Sequence, residues 1–285
     1  MKKLNQSGSH LLAMAVAIVV FCAVGFVGWR VVGSNKKDDV KSVNDGSSQK
    51  ADNTKEDDNT PVTWSWSGSK WSASGTPAAC KDPVKFANTP SDLSSAAGVL
   101  YPGQTRGGNY KPHGGFHYSL SSNNLEVRAV MDGSVTSGSR YIEGGEVQYL
   151  FTIVNGCGIA YRFDHLLTLS PAFEKLANSL PGPKVDDSRT TNFDKPLQVK
   201  AGDVVATAIG FKKTANYGYD FGVYDYRKQN AAASDAGYVA KHQNWLSQAA
   251  YALCWLDMFS ATDSAKIKNL PAVDMTAGKT SDYCK

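Results

Sequence analysis

The sequence has no Cys-x-x-Cys pair, no internal repeat and only five histidines in 285 residues. The missing cysteine pairs exclude a zinc-finger or thioredoxin-like site. Charge is also scarce: the net value is +4, spread along the chain. That is too weak and dispersed to argue for a nucleic-acid partner. Gly278-Lys279-Thr280 is not a phosphate loop, because Val273 stands where the first glycine is required. No His-Glu-x-x-His occurs, so a metal pair on one helix face is excluded as well.

What is present divides the chain sharply. Hydrophobic residues make up 42% of it, enough for one sizeable core. Residues 1–10 form a short segment carrying Lys2 and Lys3, and the uncharged run from Leu11 to Trp29 follows. A helix of that length reaches about 28 Å, close to the thickness of a bilayer's hydrocarbon. It is long for a signal-peptide core, so residues 11–33 are expected to be a single uncleaved transmembrane anchor. Bulky Phe21 before Cys22 argues against a lipoprotein site. Residues 34–63 are rich in Ser, Asn, Asp and Lys and read as a disordered tether, with a relaxed span on the order of 30 Å. Cys80, Cys157, Cys254 and Cys284 remain, an even number that favours two disulfides in an oxidising compartment, with three pairings open. The long C-terminal part is therefore expected outside the membrane.

From Trp64 onward, short runs separated by Gly, Asn and Asp predict strands over 125–130, 135–141, 146–154, 158–163, 204–211 and 217–226. Helical spacing predicts helices over 166–180, with Ser170-Pro171 at or near its start, and over about 234–260. The fold class expected is mainly β: an antiparallel sheet or sandwich core over 64–230, with peripheral helices and a helical extension over 231–285.

The stretch from Tyr101 to Tyr118 contains His113 and His117 in a glycine-rich segment too broken for a helix. On an extended chain residues four apart share a side, so both imidazoles are candidate metal ligands. In the strand over 217–223, alternation places Tyr217, Tyr219, Phe221 and Val223 toward the core, and Gly218, Asp220 and Gly222 on the other face. Asp220 is the candidate third ligand. His165, after a strand, is the candidate catalytic group, since an imidazole near neutrality can carry a proton. His10 and His242 read as structural.

In order, these residues resemble the lysostaphin/LytM-type zinc metallopeptidases of bacterial cell walls. His113-Gly-Gly-Phe-His117 lies on that family's His-x-x-x-Asp motif, and Ala129 to Val135 resembles its glycine-marked hairpin. Phe163-Asp164-His165-Leu166 lies on Tyr-x-His-Leu, Val199 to Val205 on the stretch before the last motif, and Gly218-Tyr219-Asp220-Phe221 on His-x-His-Phe. His117 replaces the family's Asp ligand and Asp220 its last His ligand, so two histidines and one aspartate are retained. Gly218 stands where the family has a helper histidine. The resemblance implies a LytM-type β core, one zinc ion on His113, His117 and Asp220, and catalysis assisted by His165. It implies peptidoglycan peptides as substrate, with Gly218, Tyr219, Gly222 and Arg106 as candidate contacts. The alternative it leaves is a catalytically silent relative that binds cell wall or activates a partner hydrolase.

Overall fold

The computed structural model describes residues 62–284, which lie within one compact unit. The expected anchor over 11–33 and almost all of the tether over 34–63 lie outside the described residues. Among the described residues, no helix is long and apolar enough to cross a membrane.

The first strands are β1 (Trp64–Trp66), β2 (Trp71–Ala73), β3 (Ala96–Leu100), β4 (Gln104–Arg106), β5 (Asn109–Lys111), β6 (Gly114–Tyr118) and β7 (Asn124–Arg128). There follow β8 (Gly133–Glu143), β9 (Glu146–Val154), β10 (Ile159–Leu169), β11 (Lys184–Val185), β12 (Thr191–Val199), β13 (Val204–Ile209) and β14 (Gly218–Asp225). The α-helices are short: α1 (Pro171–Ala177), α2 (Ala236–Lys241), α3 (Leu246–Ala249) and α4 (Ala261–Asn269). The fold is mainly β, with antiparallel sheets. One ten-stranded sheet runs β11-β8-β9-β10-β14-β6-β3, with β12 joined to β8 and β13 joining β10 to β7. The pairs β1-β2 and β4-β5 form two small ribbons. Gly144-Gly145 closes β8 onto β9 and Gly107-Gly108 closes β4 onto β5, and all four glycines have positive φ. Two-residue hairpin loops of this kind need that backbone at both positions, which glycine adopts without strain.

The sheet has one dry face and one polar face. Tyr219, Phe221 and Val223 of β14 are buried in the main hydrophobic cluster with Phe116, Tyr118, Tyr161 and Phe163, as their alternation predicts. Arg162, Asp164, Asp220 and His113 are gathered on the other side.

Two helix expectations are revised. Residues 166–169 continue β10, because Leu166 pairs with both Tyr149 and Ile209; only Pro171–Ala177 is helical. Residues 234–260 are not one helix but short α and 3-10 turns, and they do not form a peripheral appendage. Trp255 from this segment is fully buried, with its ring 5.1 Å from Phe116 and 5.2 Å from Phe221. A side chain on Gly114 would collide with it, at 2.9 Å from Trp255 Cζ2. The four cysteines form Cys80–Cys157 and Cys254–Cys284, so the second bridge ties the C-terminus to the core-packing segment.

Trp255→Ala is expected to destabilise the whole domain by about 3–5 kcal/mol in a single cooperative transition. Urea unfolding followed by circular dichroism checks this; a separate extension would melt alone and leave the sheet transition unmoved.

Candidate metal centre

Asp164 on β10 and Asp220 on β14 are paired directly across adjacent strands. Like charges facing each other in a sheet repel, and burial strengthens the repulsion. The surroundings supply the compensation. Asp164 is buried and accepts hydrogen bonds from the Tyr141 hydroxyl (2.7 Å), the Arg162 guanidinium (2.6 Å) and the His165 backbone N–H (2.9 Å). Asp220 Oδ2 lies 2.9 Å from His113 Nε2 and 3.7 Å from His165 Nε2. Burial alone would raise the Asp220 carboxyl, but His113, His165 and Arg162 hold it well below the ordinary carboxylate range.

Backbone features bring these groups together. The ladder between β9 and β10 slips between Phe163 and Leu166, where Leu150 alone faces both Asp164 and His165. His165 has φ +60, a left-handed conformation that histidine reaches more readily than most residues. The bulge interrupts strict alternation, so that neighbouring Asp164 and His165 both line one cleft. Opposite Asp220, Gly115 leaves no room for a side chain: a Cβ there would lie 2.5 Å from the Tyr219 carbonyl. At Gly222 a Cβ would press on His113 Cβ at 2.8 Å, so this glycine admits the imidazole itself.

His113 is 4% exposed, and neither ring nitrogen has a hydrogen-bond partner. Its Nε2 is close to the Asp220 carboxylate but is not aligned to donate to it. Tetrahedral zinc with ligands at 2.0–2.1 Å would separate neighbouring donor atoms by roughly 3.3 Å. The distances from Asp220 Oδ2 to the two imidazoles bracket that value. His165 Nδ1 is 3.3 Å from the Tyr141 oxygen, whose own proton goes to Asp164. Nδ1–H donation to Tyr141 leaves Nε2 free as a lone-pair donor, an outer-shell arrangement that orients a metal-binding histidine. Asp164, His165 and Asp220 have donor atoms within 4.8 Å of one another, and this group can hold a metal ion.

His113 is not part of that group, and neither is His117. His117 pairs with Gly218, and a Cβ on Gly218 would lie 3.3 Å from its ring, whereas Asp220 pairs with Gly115. Residues four apart on a strand share a side but stand about 13 Å apart along the chain, which separates His117 from the cluster. His165, reached through sheet pairing and the bulge, lies beside Asp220 instead. Of the other candidates, Tyr219 is 1% exposed in the core, with its hydroxyl on Ser91 at 2.7 Å. Arg106 is spent on the loop, donating to the carbonyls of Tyr101 (2.6 Å) and His113 (3.1 Å). The Tyr283 hydroxyl holds the carbonyl of Pro112, the residue before His113. Tyr141, Glu143 and Arg162 belong to the site; Tyr141 and Arg162 fell within expected strands, whereas Glu143 fell between two of them. A signal did exist: Arg162, like Asp164, is a charged residue on a strand that is otherwise largely apolar.

Two neighbouring cavities lie over these residues, with volumes of ≈ 430 Å³ and ≈ 320 Å³. The larger, above the cluster, is bordered by Lys111, Glu143, Arg189, Trp245 and Gln248. The smaller shares Leu150, Arg162, Thr190 and Gln248 with it and runs to Trp64, Trp71 and Tyr226. No protein family matches the chain, and neither a curated protein nor a solved structure matches it.

Burial holds the His113 imidazole down to a pKa of about 4, against partial opposition from Asp220. From pH 6.5 down to about 4 the unfolded chain therefore takes a proton that the folded chain refuses, and stability falls as pH falls. In chelator-treated protein, the urea midpoint is expected to drop from pH 7 to pH 5, and to drop by less in His113→Gln.

Proposed function

We propose that this chain is a zinc metallopeptidase of the lysostaphin/LytM type, acting on the peptide crosslinks of peptidoglycan. The observation that carries the reading is the convergence of Asp164, His165 and Asp220, whose donor atoms lie within 4.8 Å of one another, with the His113 imidazole against the same Asp220 oxygen. The candidate donors are Asp164, His165 and Asp220; a one-histidine, two-carboxylate set also suits zinc, and His113 stands beside Asp220 outside it. When bound, zinc would supply a water acidified to near neutral pH and a Lewis acid for a substrate carbonyl.

The chain's own groups have distinct tasks. Asp164 and Tyr141 fix the His165 tautomer through the chain of hydrogen bonds described above. Glu143, whose Oε2 is 3.9 Å from His165 Nδ1, borders the cleft on the side of the ring away from Asp220. Trp245, 38% exposed, forms part of the cleft wall, and the neighbouring cavities suit an extended chain. The two disulfides favour an oxidising compartment, in keeping with a domain held outside the cytoplasmic membrane by the 11–33 segment. Gly218, in place of the family's second helper histidine, favours a second reading in which the cleft binds cell-wall peptide or activates a partner hydrolase without cutting.

Purified protein is expected to hold about one zinc per chain by plasma mass spectrometry. Asp220→Asn and His165→Ala should weaken zinc binding at least tenfold, and His117→Ala should leave it unchanged; loss in His117→Ala alone would refute the donor set. Release of new amino termini from purified peptidoglycan by the wild type should fall to background in His165→Ala, together with its zinc. Full zinc occupancy with no release of termini by the wild type selects the binding reading.

A further inference from the structure

We infer that the cleft selects a peptide carrying an anionic side chain, and that Arg162 is the residue that reads it. The inference extends the peptide reading of this cleft and does not depend on cleavage. Arg162 is 8% exposed and lines both cavities, the one over the His-Asp cluster and the one that reaches the aromatic residues. Buried arginines ordinarily spend their donors, because each unpaired one costs the desolvation of a charged group. This one does not. Its Nη2 bonds Asp164 at 2.6 Å, its Nη1 makes only a 3.5 Å contact with Gln248 Oε1, and its Nε has no partner.

The partner it has is already shared. Asp164 also receives the Tyr141 hydroxyl and the His165 N–H, so its charge is divided among three donors. Around the cleft, Lys111, Arg162 and Arg189 balance Glu143, Asp164 and Asp220 one for one. The bare cleft is thus near neutral, and a divalent cation on Asp220 would leave it positive. A carboxylate arriving between the two cavities would find the planar guanidinium of Arg162, a geometry suited to carboxylate recognition. Gln248 and the Tyr224 hydroxyl, 3.2 Å apart, flank the same position. The aromatic end at Trp71 and Tyr226, stacked at 3.8 Å, is left for a neighbouring apolar group of the same ligand.

The test uses acetyl-Ala-Glu-Ala-amide and acetyl-Ala-Gln-Ala-amide, which differ only in the charge of the central side chain. Binding to the full chain is measured by titration calorimetry, both zinc-loaded and after chelation. The Glu peptide is expected to bind at least about tenfold more tightly in both states, with the preference falling to about one in Arg162→Gln and partly retained in Arg162→Lys. A preference that vanishes on chelation assigns the anion to the metal, and one that survives in Arg162→Gln assigns it to Lys111 or Arg189; either overturns the inference. Equal binding of both peptides by the wild type overturns it without any variant, so a misfolded Arg162→Gln does not protect it. Absence of zinc from the protein would defeat the metallopeptidase reading and leave this measurement in chelated protein standing.

Discussion

Two carboxylates that face each other across adjacent strands set the terms for the polar side of this sheet. Asp164 and Asp220 occupy paired positions in β10 and β14, where mutual repulsion in a poorly solvated setting must be offset by positive charge or hydrogen bonds. Arg162, Tyr141 and a backbone N–H do this for Asp164. Asp220 has only imidazoles beside it, at 2.9 and 3.7 Å. Asp164 is thus satisfied within the protein, and together with His165 and Asp220 it forms a group that could hold a metal ion.

The rest of the domain holds these groups in place. The core packs Phe116, Phe221 and Phe163 against the underside of the strands that carry the site, so the polar residues stand on a rigid floor. Glycines at 115 and 222 let a carboxylate and an imidazole lie close to neighbouring backbone, and the left-handed turn at His165 redirects a side chain that strict alternation would send elsewhere. The C-terminal segment contributes from both sides: Trp255 completes the core, Gln248 and Trp245 border the cleft, and Tyr283 holds the loop before His113. The disulfide from Cys254 to Cys284 fastens that segment to itself.

The cleft is therefore more than a candidate metal site with space above it. Arg162 lines both this cavity and the one that reaches Trp71, and its buried Nε has no hydrogen-bond partner. Charges of both signs border the cleft in equal number, which makes occupancy by a metal the event that sets its polarity.

Much of this was legible in residue order. Period-two alternation placed Tyr219, Phe221 and Val223 in the core and Asp220 on the opposite face, because strand geometry allows nothing else. An even cysteine count beyond the first apolar run implied two bridges, and short runs between glycines implied an antiparallel sheet. Helical spacing over 234–260 misled, since apolar residues that serve a common core from successive short turns mimic one amphipathic face. The sequence by itself determined which face of each strand is polar and which residue types stand there. Only the tertiary structure decided that His165 rather than His117 joins His113 near Asp220, and that Cys80 meets Cys157. Sharing a side is a local property of the backbone, whereas meeting at one point depends on which strands pair and where a ladder slips.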